Sequence, residues 1–352
     1  MRELKSRLLA EELRKKIVSG EWKPHMRLMT EPQMVEAYGV GRHTVRQALN
    51  QLWEEGLIVR RQGSGTFVSA LEGPAAPCRT VSMITTFSSY YIFPEILGSI
   101  EDKLRENNCR ILLSVTRNSF SLERRFLLDL LRQPVDGLIV ECTMPQIPNP
   151  NVDLYEKLSE RGLPIVFLNA EYSGLERSVS VRVDDEGAGR ALTERMLMTG
   201  ARSFAGLFRT DYHGYRRFRG FYRACIDADA AVDENTCRWF SDNECEESLP
   251  FLLRKADIER LEETDALVCY NDAVALNVLD YLRKNGCRRL PRIASFDNTR
   301  LLRLSHEPVT AITYPSGLMG RTVADKLIRM INGGQESSTV LPWIENWSGN
   351  DS

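Results

Sequence analysis

Between residues 42 and 47 the chain reads Arg-His-Thr-Val-Arg-Gln. Two guanidinium forks, an imidazole, a hydroxyl and an amide so close together form a set of groups able to read DNA. Arginine pairs with guanine O6 and N7, and hydroxyls and amides reach phosphates or base edges. A second set of polar residues recurs along the chain instead of clustering. Thr86-Phe87-Ser88-Ser89-Tyr90-Tyr91, Arg117-Asn118, Glu141, Asn169, Asp184-Asp185, Thr210-Asp211, Asn271-Asp272 and Asp297-Asn298 each follow an apolar run. Singly, Asn and Asp in such places serve as helix caps and turn formers. Their recurrence beside aromatic rings suits a polyhydroxylated ligand. Carboxylates, amides and an arginine exchange paired hydrogen bonds with hydroxyls, and rings stack on C–H faces.

Other chemistries have less support. The sequence holds no GxSxG, no P-loop, no CxxC pair and no Cys/His ligand spacing, and its histidines (25, 43, 213 and 306) are scattered. The carboxylates after apolar runs could mimic a glycosidase pair, but binding clefts carry the same residues. The reading is of a protein that is not an enzyme, with no cofactor and no metal. Eight cysteines, at 78, 109, 142, 225, 237, 245, 269 and 287, include several in apolar strand-like runs, as expected of buried free thiols in a reducing compartment.

The elements that must position these groups divide the chain. Its 352 residues are enough for two or three domains, with the 43% hydrophobic and 27% charged composition of a globular protein. In residues 1–69 apolar positions recur at helical spacing (Leu4, Leu8, Leu9, Leu13, Ile17) and end at Ser19-Gly20. Thr30 N-caps a second helix that closes at Tyr38-Gly39. A third helix, Arg42 to Glu55, turns Val45, Ala48, Leu49 and Leu52 inward, and Gly56 stops it. Residues 57–59 and 66–68 then pair as a hairpin with Gln62 and Gly63 at its tip. This order is a winged helix-turn-helix. Net charge is +4 over residues 1–69 and −6 over the remainder, so a polyanion partner is expected for the head alone.

Residues 70–78, rich in Ala, Pro and Gly, read as a linker. Beyond them apolar strands alternate with amphipathic helices, the pattern of doubly wound parallel α/β sheets. The strands expected are 81–85, 111–115, 137–140, 165–168, 180–183, 204–208, 266–269 and 292–296. That is about twice what one such sheet needs, so residues 79–352 are expected to form two lobes around a cleft, with the chain crossing near 172, 299 and 313. No run approaches the roughly 18–20 apolar residues of a membrane span, and the charged N-terminus lacks a signal-peptide core, so a cytoplasmic location is expected.

The stretch RLMTEPQMVEAYGVGRHTVRQALNQLWEEGLIVRRQGSGTFV closely resembles the DNA-binding domain of the GntR family. The resemblance implies operator contacts from Thr30, Glu31, Arg42, Thr44 and Arg46 and from the wing residues Gln62 and Gly63. The chain departs from that family at Met29, usually proline, and at Pro32, usually an arginine that often contacts DNA. Residues 79–347 resemble the effector domain of the LacI/GalR family through VDGLIVE (135–141), VRVDDEGAGRALTERMLMTGAR (181–202), RRFRGF (216–221), VCYNDAVAL (268–276) and ASFDNT (294–299). This implies a two-lobed, periplasmic-binding-protein-like (type I) sensor with sugar contacts at Arg217, Asn271, Asp297 and Asn169. Ser89, Tyr90, Arg117, Glu141 and Asp184 complete the candidate effector-binding set. The two resemblances together imply a homodimeric repressor of sugar-utilisation genes, bound to double-stranded operator DNA and released by a pentose such as L-arabinose. The alternatives are the same architecture answering another sugar or a sugar phosphate, and, remotely, a GntR-headed pyridoxal-phosphate protein. The last would need a longer body and a Schiff-base lysine, whereas Lys255, Lys284 and Lys326 lie in apparent surface helices.

Overall fold

The computed structural model describes residues 2–61, 64–69, 78–87, 91–175, 178–241, 249–250 and 252–348. They form two compact units, Met1–Cys78 and Arg79–Ser352.

In the first unit, helices α1 (Arg2–Val18), α2 (Glu31–Tyr38) and α3 (Arg42–Glu54) precede an antiparallel pair, β1 (Ile58–Arg61) and β2 (Gly65–Val68). Leu9, Leu13 and Ile17 of α1 meet Met34, Val45, Leu49, Leu52, Ile58 and Val68 in one core. Leu8, expected within the inward stripe, faces outward at 57% exposure, because Leu9 and Ala10 fill the positions facing α3. Gly39 ends α2 at φ 62°, a left-handed turn that lets α3 start three residues later, at Arg42. The hairpin is longer than expected: register runs from Ile58↔Val68 to Arg61↔Gly65, so the arginines belong to the strand and not to its loop.

The second unit contains two parallel-based sheets. The first is built from β3 (Arg79–Thr85), β4 (Cys109–Val115), β5 (Gly137–Glu141), β6 (Ile165–Leu168), β7 (Val179–Val183) and, late in the chain, β13 (Thr339–Leu341), in the order β13-β7-β6-β5-β3-β4. The second contains β8 (Ser203–Arg209), β9 (Ala231–Phe240), β10 (Ala266–Cys269), β11 (Arg292–Asp297), β12 (Val309–Thr313) and β14 (Ile344–Ser348), in the order β14-β12-β11-β10-β8-β9, with β14 antiparallel to β12. Central strands such as β6 and β10 are buried at every residue, which is why they read as unbroken apolar runs with no alternation. Helices α4 (Phe93–Glu106), α5 (Phe120–Arg132), α6 (Val152–Glu160) and α12 (Ser316–Ile331) accompany the first sheet. With the second go α7 (Asp185–Met198), α8 (Tyr212–Asp227), α9 (Lys255–Glu263), α10 (Asp272–Lys284) and α11 (Arg300–Ser305).

The chain changes sheet after Val183, Thr313 and Leu341, so the crossings expected near 172 and 299 are displaced. Tyr172 precedes β7, which still pairs with β6 in the first sheet, and Thr299 lies between β11 and β12, both in the second. Strands β9, β12, β13 and β14 were not expected. β9 is an edge strand whose polar residues (Asp233, Glu234, Asn235) disguise it, and β13 and β14 are short. Lys326, expected on a surface helix, is 6% exposed and donates to Glu336 Oε2 and the Ser337 carbonyl, each at 2.8 Å.

Helices α7 and α8 cross backbone to backbone. A Cβ at Gly220 would lie 1.9 Å from the Glu186 carbonyl oxygen, and one at Gly189 would lie 2.2 Å from the Arg217 carbonyl oxygen. This approach brings the N-terminal ends of the two helices together, where Asp185, His213 and Arg217 stand. Gly220→Ala is therefore expected to destabilise the second unit by about 1–3 kcal/mol or more, read as a lower urea midpoint. Gly98→Ala, in open space on α4, should be neutral or stabilising by up to about 1 kcal/mol. Equal midpoints for Gly220→Ala and the parent protein would contradict the close crossing.

Candidate functional sites

In the first unit the starts of α2 and α3 come together. The Thr30 backbone N–H and its hydroxyl both donate to Gln33 Oε1, at 2.9 and 3.0 Å, closing the N-terminus of α2. Arg46 spans from α3 to Glu31 with a fork of two bonds, Nη2 at 3.0 Å and Nε at 3.3 Å. Arg42, His43, Arg46 and Gln47 are exposed and Thr44 is half-buried, while Val45, Ala48, Leu49 and Leu52 anchor the other face of α3. The strand arginines are held as well: Arg60 donates to Asn50 Oδ1 at 2.6 Å, and the Arg61 guanidinium lies 5.1 Å from the Phe67 ring centre. Gln62 and Gly63 lie outside the described residues.

In the second unit a cleft of about 740 Å³ lies between the two sheets, lined by residues that follow strands of both. Its centre is Arg217 on α8, 4% exposed. The guanidinium donates to Asp185 Oδ1 at 3.0 Å, to the Tyr270 carbonyl at 2.6 Å and to Asp297 Oδ1 at 3.4 Å. Phe296, Tyr270 and Trp343 wall it at 4.7, 4.9 and 5.0 Å from their ring centres. His213 Nδ1 lies 2.8 Å from the other Asp185 oxygen. Beside this, the Tyr270 hydroxyl donates to Asp211, 2.8 Å away, which also receives Arg209.

From the first lobe, Glu141 accepts from the Thr85 hydroxyl at 2.5 Å and the Thr86 N–H at 2.6 Å, and Asn169 accepts from the Tyr314 hydroxyl. Tyr91, also from the first lobe, donates its hydroxyl to Asp297 Oδ2 at 2.7 Å. Backbone conformation aims several of these groups. Tyr91, Asn169 and Asp297 have φ of 67°, 67° and 94°, left-handed values that a non-glycine residue adopts only under local constraint.

Burial and charge pull the carboxylates apart. Burial disfavours ionised Asp185, but His213 and Arg217 more than offset it and the pKa falls. At Asp297 burial outweighs the attraction of Arg217 and the pKa rises. Burial also raises Glu141, against its hydrogen bonds from Thr85 and Thr86. Asp272 is pushed up to about 7, first by burial and then by the neighbouring Asp297 carboxylate.

Of the residues picked out in the sequence, Glu141, Asn169, Arg217, Asn271 and Asp297 line this one cleft. Ser89 and Tyr90 lie outside the described residues. Arg117 and Asp184 do not line it: Arg117 is exposed beyond β4, and Asp184 is spent as the N-cap of α7, accepting from the Gly187 N–H at 2.9 Å. Their successors reach the cleft environment instead, Asn118 on its wall and Asp185 on Arg217. Tyr91, Asp185 and Asp211 stood in the polar runs after the strands but, like His213, were not in the candidate effector-binding set. A usable signal existed for Asp185, since in Asp184-Asp185-Glu186 the first carboxylate is the natural cap and the second is left for another task.

Residues 5–68 match the family of bacterial regulatory proteins named gntR, and residues 193–345 match a periplasmic binding protein-like domain. The arabinose metabolism transcriptional repressor of Geobacillus stearothermophilus is 36% identical over 334 residues, covering 92% of this chain and 90% of that one. That of Halalkalibacterium halodurans is 32% identical over 338 residues, covering 94% and 90%. The chain belongs to the family of arabinose metabolism transcriptional repressors.

A solved structure agrees in fold. The periplasmic binding protein/LacI transcriptional regulator from Alkaliphilus metalliredigens, complexed with D-xylulofuranose, superposes with a TM-score of 0.66 at 19% identity, covering 78% of this chain and all of that one. The repressor therefore combines a GntR helix-turn-helix with a type I, two-lobed α/β effector domain, and it is a sugar-responsive transcription repressor, not an enzyme. Operator DNA and a sugar effector are its partners.

The Asp272 shift gives a pH prediction. An aspartate that titrates near 3.8 when unfolded and near 7 when folded stabilises the fold fully below pH 4. That contribution, up to about 4 kcal/mol, is lost as pH rises towards 7. Asp272→Asn should therefore flatten the fall of stability between about pH 4 and 7, measured by urea unfolding at a series of pH values. An unchanged slope would show that Asp272 ionises normally.

Proposed function

We propose that the repressor is a homodimer that holds a palindromic operator and leaves it when L-arabinose fills the cleft. Arg42, Thr44 and Arg46, with Thr30, Glu31 and the wing residues Gln62 and Gly63, take the role of operator contacts. Two recognition helices of a dimer address successive major grooves about 34 Å apart. Arg217, Asp297, Asn271, Glu141 and Asn169 take the role of effector contacts. The observation that carries the effector class is the charge balance of the cleft. Of the three arginines that line it, the two inner ones are already matched, Arg209 by Asp211 and Arg217 by Asp185 and Asp297, and the third, Arg300, is exposed. Such a site offers hydroxyls both donors and acceptors, whereas a phosphate would bring negative charge beside Glu141, Asp211 and Asp297 with the inner arginines already paired. This favours a free sugar over a sugar phosphate, and the names of the two relatives point to arabinose.

The sugar engages groups from both sheets and so favours one arrangement of the lobes. That arrangement binds the operator less well, a coupling of about 1–3 kcal/mol in ligand-controlled proteins generally. A repressor that holds operator DNA works beside the chromosome, which supports a cytoplasmic location. Among the described residues no helix is long and apolar enough to cross a membrane.

The test is fluorescence anisotropy of labelled operator titrated with repressor, with and without L-arabinose, other pentoses and their phosphates. Free L-arabinose is expected to weaken binding about 5- to 150-fold. Arg217→Lys, which keeps the charge but loses the fork, should remove most of that response and leave operator affinity intact. Arg46→Ala should do the reverse, with operator affinity lower by about 1–3 kcal/mol. Release by a pentose phosphate alone, or full induction in Arg217→Lys, would overturn the assignment.

A further inference from the structure

Tyr91 stands out among the groups of the cleft because it belongs to one lobe and its hydroxyl both donates to and accepts from the other. It precedes α4 of the first lobe, yet its hydroxyl donates to Asp297 Oδ2 at 2.7 Å and accepts from the Asp272 backbone N–H at 3.1 Å. Both partners are on the second lobe, at the end of β11 and the start of α10. The phenol thus makes the donor–acceptor pair of hydrogen bonds that one hydroxyl of a sugar would make. Asp297 is the same residue whose other oxygen receives Arg217. Tyr91 sits at φ 67°. An aromatic residue is held there by its surroundings and not by its own preference, so these two bonds are part of what keeps the ring in place.

We infer that Tyr91 is a resident surrogate for the effector: without ligand its hydroxyl ties the lobes together through Asp297 and the Asp272 N–H, and an incoming sugar must displace it from Asp297 to bind. The inference rests on the cleft being the effector site, as argued above, and adds a competitor to it. Asp297 Oδ2 has a second lone pair, but the Asp272 N–H has one hydrogen and the phenol already fills the position between the two, so a sugar hydroxyl that takes both bonds must displace it and tether strength subtracts from effector affinity. Tyr91 is then a positioning residue that sets how much sugar is needed for release, and a contact to the sugar is not its main role. The sign of its removal distinguishes the two, since deleting a ligand contact weakens binding and deleting a competitor tightens it.

Tyr91→Phe keeps the ring and removes only the hydroxyl. Two measurements on the full-length protein decide the matter. Calorimetric titration with L-arabinose should give a dissociation constant about three- to tenfold lower for Tyr91→Phe than for the parent, the equivalent of one hydrogen bond no longer competing. Hydrogen exchange in the sugar-free protein should be several-fold faster across residues 270–275, which contain the Asp272 amide that bonds to Tyr91. Weaker sugar binding by Tyr91→Phe would overturn the inference, because the phenol would then be a ligand contact. Unchanged exchange would overturn it as well, because no tether would exist. Should the parent protein bind no pentose, the effector assignment fails separately, and the exchange measurement alone decides the tether: faster supports it, unchanged refutes it.

Discussion

A guanidinium cannot shed its charge in a protein interior, and burying one commits its whole neighbourhood. Arg217 is in that position, and the cleft is organised around it. Its three acceptors come from three places: the N-terminal turn of α7 (Asp185), the end of β10 (the Tyr270 carbonyl) and the end of β11 (Asp297). The ring faces of Phe296, Tyr270 and Trp343 exclude water from it and favour the cation. For these groups to meet, α8 must lie directly against α7, which the glycines at their crossing allow. The same network fixes the carboxylates an effector would use. Asp297 is held by Arg217 on one oxygen and by Tyr91 on the other, so its orientation is set before any ligand arrives.

The two units perform their tasks with opposite electrostatic styles. The head displays arginines on an exposed helix face, where charge reaches outward to a polyanion and is strongly affected by salt. The effector unit neutralises its arginines internally, so that what remains for a ligand is directional hydrogen bonding. A neutral, hydroxyl-rich effector can therefore shift the lobes only through differential contacts in two arrangements, and its leverage on the operator is limited to that difference.

Much of this was legible in the sequence, for identifiable reasons. Strands such as Gly137–Glu141 and Ala266–Cys269 are buried on both faces, so they appear as continuous apolar runs, and the polar residues after them mark the cleft. Arg217 could be found through its R-x-x-G setting, whose glycine is needed at the helix crossing. What escaped notice had weaker local signals. Edge strand β9 mixes polar and aromatic residues because one of its sides has no neighbour. The crossings depend on which sheet a strand joins, and nothing in the composition of Val179–Val183 tells the first sheet from the second. In the doublets Arg117-Asn118 and Asp184-Asp185 the spacing located the turn, but choosing the member that reaches the cleft wall or Arg217 required knowing which one is used as a cap or faces solvent. Tyr91 lay in the polar run 86–91, but nothing local set it apart from its neighbours, since its role comes from partners 181 and 206 residues away.

One free sugar and one operator compete energetically through a single chain, and thermodynamic linkage makes that competition measurable from the sugar's side. L-arabinose should be titrated by calorimetry into the free repressor and into its saturated operator complex under the same salt conditions. The operator is expected to weaken sugar binding by the same factor by which the sugar weakens operator binding. Equal sugar affinities in the two titrations would contradict it, since a ligand indifferent to the operator cannot release it.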